Sequence, residues 1–575
     1  MDGPRARARY YGREPRGAPS APVASAAALL WAARASAIIP AITLMPRSPI
    51  AHRPMSRTLR TARAAGIAVG AALAAAAPRA TAQTPAPIVY TVSVPDPATH
   101  IAHVQARVPT SGRASIEMMM ATWSPGYYKV EDYANQVDSV RARAADGSPL
   151  AVQRSRANRW RIDTHGAPSV TISYQVLGNR KFVTADWVGD SLVVLNGAPT
   201  FMTLADTVHR PAEIHLSLPP GWSSATSLDS ASDGVLDHYR AADYDDLVDS
   251  PIMAGALRTV QFDVDGIPHL LVDAGAVGDF NGERAGRDLM RIVIEASRFW
   301  GFLPYRRYLF LNWFHPGGGG LEHKNSTMLT SNAAALDTPA GYERWLTFVA
   351  HEYFHAFNVK RLRPVELGPF DYEGTPHTPS LWIAEGLTTY YGDLMVARAG
   401  LARQQDYLDW MSAMIRDLQR TPGRLVQTLD ASSLDVWNSE NSAVGMDTRK
   451  TVSYYTKGPV VGLLLDAHIR HLTNGAKSLD DVMRLAYRRY AGAQGYTPAQ
   501  FRATVSEVAG VDLSDWFARA LDSTQELDYA EMLDWFGLRF SPADQWQLDV
   551  VDKPTPDQQH HLQALLKPDS EARPD

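Results

Sequence analysis

The chain has 575 residues, so we expect about two to four domains rather than a single hydrophobic core. Residues 1–82 contain 12 Arg, no Lys and two acids, so the rest of a chain whose net charge is -5 is acidic. This balance argues against a nucleic acid or an anionic membrane surface as a partner. The absence of cysteine excludes disulfides, thiolate metal ligands and thiol nucleophiles.

Residues 55–82 have the pattern of a secretory signal peptide. Arginines precede the apolar, Ala-rich stretch 64–77, and Ala80-Thr81-Ala82 matches an A-x-A cleavage signal. We therefore expect an exported protein, periplasmic or secreted, although a low-complexity disordered leader is the alternative. Residues 1–54 are expected to be an upstream extension of the reading frame or disordered. The possible start sites are Met1, Met45 and Met55.

Residues 87–260 alternate between apolar and polar side chains, with Pro and Gly between the alternating runs. Such alternation is typical of strands. The clearest runs are 88–94, 100–108, 115–123 and 169–177. We predict an N-terminal β domain over 87–260, built as a sandwich or a saddle-like sheet.

The pattern changes to mixed helices and strands over residues 261–400 and to helices over residues 401–540. The predicted elements are a helix at 283–300, a strand at 308–314, and helices at 341–358, 380–398, 401–420, 459–472, 479–490 and from Thr497 onward. Pro459 is expected in the first turn of its helix. Residues 541–575 are expected to form a polar tail. The predicted fold class is α+β with several domains, and no stretch after the leader has about 18 uninterrupted apolar residues that would insert stably into a membrane.

The sequence His351-Glu352-Tyr353-Phe354-His355 is an H-E-x-x-H motif within an apolar helical segment. Residues four apart lie on one face of a helix, so both imidazoles can reach one metal ion. Zinc binds neutral histidine nitrogen but favours four ligands, so a third protein ligand is required. The alternative is a chance motif whose histidines are hydrogen-bonded in the core.

Glu385 is the only acid in the apolar segment 381–391. A carboxylate in this setting is either a buried acid with a neutral pKa or a metal ligand. It follows the H-E-x-x-H segment on the next predicted helix, which makes it the first candidate for the third ligand.

Four segments together resemble the glycyl aminopeptidase family of zinc metallopeptidases, family sixty-one of the gluzincin clan, which is related to aminopeptidase N and leukotriene hydrolase. The resemblance covers residues 87–540. The segments are GGGLEHKNST (318–327), HEYFHAFNVKRLRP (351–364), LWIAEGLTTYYGDL (381–394) and SYYTKGPVVGLLLD (453–466).

The resemblance implies a thermolysin-like catalytic domain over 261–400 and one zinc ion per chain. His351, His355 and Glu385 then match the zinc ligands, Glu352 matches the general base, and Tyr455 matches the tyrosine that faces the tetrahedral intermediate. Members of the family usually carry a PDZ domain after the helical domain, and too few residues follow here for one to be expected.

Glu322 matches the acid that receives the α-ammonium group of the substrate, and a solvated loop acid is the alternative. Gly319 and Gly320 belong to a glycine run that suits close backbone approach to an extended substrate. The expected activity is a zinc-dependent aminopeptidase that releases small N-terminal residues, Gly or Ala, from peptides with a free N-terminus. A zinc endopeptidase on the same scaffold and a non-catalytic peptide-binding relative are the alternatives. The sequence does not determine the oligomeric state.

Overall fold

The computed structural model describes residues 85–438 and 447–567. Its mixed helices and sheets confirm the α+β architecture expected from the sequence. The N-terminal part is built from short strands and two short helices, α1 (Gly197–Thr200) and α2 (Tyr244–Val248). Its strands are β1 (Ile88–Ser93), β2 (Ile101–Pro109), β3 (Ser115–Met119), β4 (Val137–Ala144), β5 (Pro149–Leu150), β6 (Val152–Arg156), β7 (Arg159–Asp163), β8 (Ser169–Leu177), β9 (Trp187–Val188), β10 (Leu192–Leu195), β11 (Thr203–Leu204), β12 (Ala212–Ser217), β13 (Ser223–Thr226), β14 (Asp229–Ser230), β15 (His238–Ala241) and β16 (Ile252–Gly255).

These strands form one large sheet and two smaller ones. The large sheet has eight strands in the order β14-β15-β12-β1-β2-β8-β4-β5, and the four-stranded sheets have the orders β13-β16-β10-β9 and β11-β3-β7-β6. Alternate residues of β1, β2 and β8 are buried, as their sequences predict, and their inward side chains form the N-terminal core.

A five-stranded sheet follows, in the order β17-β18-β19-β21-β20. Strands β18, β19 and β21 run parallel, and β20 lies at the edge, antiparallel to β21. An apolar cluster that includes Val194 and Leu311 joins this sheet to the N-terminal sheets, so loops of the N-terminal part reach the same cleft as β20. The strands are β17 (Arg258–Val264), β18 (Ile267–Gly275), β19 (Tyr308–Phe314), β20 (Gly319–Glu322) and β21 (Ser326–Ser331).

Helices cover the rest of the described chain and share one large core with the five-stranded sheet. A π-helical turn, Trp382–Leu387, precedes α5, and a short hairpin joins β22 (Leu538–Phe540) to β23 (Leu548–Val550). The helices are α3 (Gly282–Trp300), α4 (Pro339–Phe354), α5 (Thr388–Arg398), α6 (Gln404–Arg420), α7 (Leu429–Leu434), α8 (Tyr454–Leu472), α9 (Leu479–Tyr490), α10 (Pro498–Ala509), α11 (Ser514–Ala520), α12 (Ala530–Phe536) and α13 (Pro556–Leu566).

Several helix boundaries differ from the sequence prediction, and the two largest differences have a contact that accounts for them. Helix α4 ends at Phe354 rather than at residue 358, because the Asn358 amide donates to the carbonyl of Ile383 at 2.8 Å and diverts the chain. Helix α8 begins at Tyr454, so Pro459 lies inside the helix and not in its first turn. The start is set instead by Ser453, whose hydroxyl accepts from the Tyr455 N–H at 3.1 Å.

The polar tail expected over residues 541–575 is contradicted where the structure describes it. Strand β23 and helix α13 lie there, and the helix buries Leu562, Leu565 and Leu566 against the large core. Helical spacing gathers these three leucines on one face, although the average composition of the segment is polar. A capping box between Thr555 and Gln558 fixes the helix start.

No helix within residues 85–438 and 447–567 combines the length and the apolar character needed to cross a bilayer. The predicted signal peptide, residues 55–82, and the preceding segment 1–54 lie outside the described residues.

Candidate metal centre

Helix α4 presents the two histidines of the H-E-x-x-H motif at its C-terminal end. Thr338 caps the helix by accepting from the Gly341 N–H at 3.0 Å, and Pro339 occupies its first position. His355 is the C-cap residue, and its Nε2 lies 3.1 Å from Nε2 of His351. The four-residue spacing therefore brings the two ring nitrogens together, as expected.

Glu385 joins them from the π-helical turn that precedes α5. Its Oε2 lies 3.1 Å from Nε2 of His355 and 3.6 Å from Nε2 of His351. Ligands of a tetrahedral zinc ion lie about 3.3 Å apart when their bonds are about 2.0–2.1 Å long. The three atoms therefore have the spacing of a zinc ligand set, and the buried Oε1 of Glu385 has no hydrogen-bond partner.

Hydrogen bonds on the far side of each ring fix the histidine tautomers. Nδ1 of His355 lies 2.8 Å from the carbonyl oxygen of Asn358, which only accepts, so this nitrogen carries a proton. Nδ1 of His351 lies 3.2 Å from the Thr389 hydroxyl, which itself donates to the Glu385 carbonyl at 3.0 Å. In the neutral form of each ring the lone pair is therefore on Nε2, facing Glu385, as metal-ligating histidines require.

The charges around the histidines favour a cation at the same point. Burial lowers the pKa of His355, but Glu385 and Glu322 outweigh it and raise that pKa to about 10. Burial lowers the pKa of His351 to about 4. The carboxylates around the two histidines therefore favour a positive charge at this point, which is the setting of a cation site.

Glu352 lies beside the three candidate ligands, on the side of β20. Its carboxylate is buried, and burial raises its pKa well above the ordinary value, with His355 opposing the shift. A Cβ atom on Gly320 would overlap the Glu352 carboxylate, so the absent side chain of Gly320 makes room for it. The sequence suggests that Gly320 allows close backbone approach to the substrate. The structure adds a second reason for glycine here, which is the space taken by the Glu352 carboxylate.

Glu322 ends the edge strand β20 and is only 4% exposed, so it is not a solvated loop acid. Burial raises its pKa to about 7, with His355 and Lys360 opposing. Its buried Oε1 has no hydrogen-bond partner. A Cβ atom on Gly126 would lie 2.5 Å from that oxygen, so the carboxylate packs directly against a loop of the N-terminal part.

Tyr454 and Tyr455 begin helix α8 and both line the cavity. The Tyr455 ring lies 6.2 Å from that of His351 and 4.7 Å from that of Tyr454. Burial raises the pKa of Tyr455 well above its ordinary value, so its hydroxyl stays a donor. Gly386 and Gly458 let helix α8 pack closely against the π-helical turn, because a Cβ on Gly386 would lie 2.7 Å from the Cα of Gly458.

All the predicted site residues line one cavity of about 670 Å³, a volume suited to a short peptide. Gly319 and Gly320 form one wall, and the N-terminal part supplies the opposite wall. Sequence reasoning missed that second wall, because its residues lie in loops far from any motif. These residues are Gly126, Tyr127, Tyr128, Lys129, Glu131, Arg180, Lys181, Phe182 and Val183.

Comparison with known proteins agrees with this geometry. The M61 peptidase N-terminal domain model matches residues 89–256, and the M61 glycyl aminopeptidase model matches residues 344–461. A search of curated proteins found no match. Among solved structures, an aminopeptidase N family protein from Idiomarina loihiensis is similar, with 27% identity, a TM-score of 0.74 and coverage of 78% of each chain.

Two further structures are more distant. An M1 zinc metallopeptidase mutant from Deinococcus radiodurans, bound to a Tyr-Ser-Ala substrate, has 14% identity and a TM-score of 0.48 over 77% of this chain and 94% of its own. Yeast LTA4 hydrolase in complex with bestatin has 15% identity and a TM-score of 0.47 over 77% of this chain and 68% of its own. The first family model matches the sheets of the N-terminal part, and the second matches the segment that contains His351, His355 and Glu385. The chain belongs to the M61 glycyl aminopeptidase family of metallopeptidases.

Proposed function

We propose that the protein is a zinc-dependent aminopeptidase. His351, His355 and Glu385 would hold the zinc ion. The observation that carries the proposal is Glu322, a buried carboxylate that has an unpartnered oxygen and shares one cavity with the three ligands. A buried anion without a partner is unfavourable, and the α-ammonium group of a peptide supplies a partner of opposite charge.

When bound, zinc supplies a Lewis acid that favours ionisation of a water molecule and polarises a peptide carbonyl. Glu352 accepts the proton of the attacking water and passes it to the leaving amine, a role that suits a carboxylate whose pKa burial has raised. Tyr455 donates a hydrogen bond to the oxyanion of the tetrahedral intermediate. Glu322 binds the α-ammonium group and so sets the distance from the N-terminus to the scissile bond.

The family description, glycyl aminopeptidase, supports a preference for small N-terminal residues. We propose Gly or Ala in that position. Export of the protein is a further part of the proposal, and its support is the signal-peptide pattern of residues 55–82.

Glu322→Ala tests whether the enzyme recognises a free N-terminus. Because a hydrogen bond to a charged group is worth about 1.5–3 kcal/mol, kcat/KM on free N-terminal peptides should fall roughly ten- to a hundredfold. Zinc content should not change, and N-acetylated peptides, already poor substrates, should be almost unaffected. The matched control is Glu295→Ala, which removes another buried glutamate outside the cavity. Equal losses on free and acetylated peptides, or rapid cleavage of acetylated peptides by the wild type, would favour an endopeptidase.

Tyr455→Phe is expected to lower kcat by about a hundredfold and to change KM little, because the lost donor acts mainly in the transition state. Steady-state kinetics on a free N-terminal peptide measures both parameters. Tyr454→Phe is the matched control, since it removes the neighbouring hydroxyl from the same helix turn. If Tyr454→Phe alone reduces kcat, the donor is Tyr454 and our assignment is off by one residue.

Gly320→Ala is expected to reduce kcat/KM at least about tenfold without loss of zinc, because the added methyl group occupies the volume of the Glu352 carboxylate. The measurement is activity together with metal content and thermal melting. Wild-type activity in this variant would show that Glu352 does not need its observed position.

A further inference from the structure

A buried polar cluster, which contains one ion pair, lies directly behind Glu322. We define it as Asp249, His323 and Lys360. Lys360 Nζ lies 2.6 Å from Asp249 Oδ1, and His323 Nδ1 lies 3.4 Å from the same oxygen. All three side chains are nearly inaccessible to solvent, with 12% exposure for Asp249 and 4% for each of the others. Its members come from three distant parts of the sequence.

The cluster holds the turn that follows β20. The second oxygen of Asp249, Oδ2, accepts from the backbone N–H of Lys324 at 2.7 Å, so one carboxylate contacts the residues one and two positions after Glu322. From the other side, Arg361 donates to the Lys324 carbonyl at 2.7 Å and to the Asn325 side chain at 2.9 Å. Both the backbone N–H and the backbone C=O of Lys324 are therefore hydrogen-bonded, which fixes the turn.

The cluster also links the two walls of the cavity. Asp249 lies between α2 and β16 of the N-terminal part, whereas Lys360 follows His355, the last residue of the H-E-x-x-H motif, by five residues. Although burial opposes it, Lys360 lowers the pKa of Asp249 well below its ordinary value, so the pair is ionised. The same lysine favours the charged form of Glu322.

A structural role alone does not account for the position of this cluster. Replacing a buried ion pair by apolar residues is often neutral or stabilising, so an ion pair is weak evidence for stability. Here Lys360 pairs with Asp249, and the Asp249 carboxylate binds the turn that directly follows Glu322.

We propose that Asp249, His323 and Lys360 are positioning residues that hold Glu322 where it receives the substrate α-ammonium, so that recognition of a free N-terminus depends on the N-terminal part of the chain. This inference rests on the proposed function of Glu322. None of the three lines the cavity, and they act through the turn after β20 and through the charge of Lys360.

The test is the double variant Asp249→Asn/Lys360→Met, which removes both charges and leaves neither one buried alone. On a free Ala peptide we expect KM to rise about tenfold, a coupling within the range for residues in one network, with a much smaller change in kcat and full zinc content. Added to Glu322→Ala, the same two substitutions should produce no further change in KM. A purely structural role would produce the same loss in both backgrounds.

Two further variants keep the test decisive. Asp480→Asn breaks the buried Arg398–Asp480 pair, whose atoms lie 2.9 Å apart, and should lower thermal stability without raising KM for free peptides. His323→Gln, a neutral-for-neutral change, should raise KM severalfold only when Glu322 is present, and it tests the cluster even if the double variant does not fold.

The possible outcomes separate the two proposals. Additive losses in the Glu322→Ala background, or an unchanged KM in the folded double variant and in His323→Gln, would overturn the positioning role. If Glu322→Ala retains wild-type selectivity for free N-termini, it is the proposed function of Glu322 that fails instead.

Discussion

Glu352→Gln should retain the metal and lose the chemistry. The amide has nearly the size of the carboxylate but cannot accept a proton, so turnover should fall at least about a hundredfold, the lower end for loss of a general base. Zinc content and the melting temperature should stay close to those of the wild type, because Glu352 lies outside the proposed ligand set of His351, His355 and Glu385. Single-turnover kinetics with metal analysis of the same sample measures both.

The matched control is Glu343→Gln, on the same helix but outside the cavity-lining set. It should have the turnover of the wild type. A zinc-loaded Glu352→Gln enzyme with near-normal turnover would show that another group accepts the proton, and the acid–base assignment would have to be abandoned.

Loss of any one ligand should remove zinc and with it the activity. His351→Ala, His355→Ala and Glu385→Ala each leave only two protein ligands, fewer than the three that catalytic zinc sites use. We expect less than one equivalent of zinc after dialysis and no measurable hydrolysis. Wild-type enzyme treated with a strong chelator should likewise lose activity and regain it when zinc is added.

Thermal melting gives a second measure that does not depend on turnover. A ligand that binds only the folded state stabilises it by about 4 kcal/mol at a thousand times its dissociation constant, so added zinc should raise the Tm of the metal-free wild type and not that of Glu385→Ala. His269→Gln alters another buried histidine, in strand β18, and should keep its zinc. Full activity in protein shown to be metal-free would contradict the proposal.

Local sequence patterns predicted much of this fold. The strand 169–177 has the predicted ends, because strict alternation and its turn residues mark both ends of the strand. The helix 479–490 also agrees, and at its start the Ser478 N–H donates to the Asp481 carboxylate at 2.9 Å. The predicted end of α4 and the predicted start of α8 were wrong. Hydrogen bonds of Asn358 and Ser453 determine these two boundaries, and helical periodicity does not predict either bond.

Some residues of the candidate site could also be predicted from local sequence patterns, and others could not. His351 and His355 lie on one helix, so their convergence follows from spacing alone, whereas Glu385 depends on how the next helix packs. The cluster behind Glu322 was not foreseeable. His323 and Lys360 stand in the segments 318–327 and 351–364, but Asp249 stands in no motif, and no pattern indicates that the three side chains meet. Likewise, the wall formed by the N-terminal part depends on sheet packing rather than on local residues.

The position of β20 at the rim of its sheet has a consequence for which peptides the enzyme can process. A rim strand offers main-chain groups, which are the same in every peptide, and Gly319 and Gly320 add no side chain to that surface. Discrimination would then rest on the first residue and its ammonium group, while the residues beyond it could vary widely. Such an enzyme would work as a general scavenger of peptide ends, suited to mixed fragments and not to one dedicated substrate.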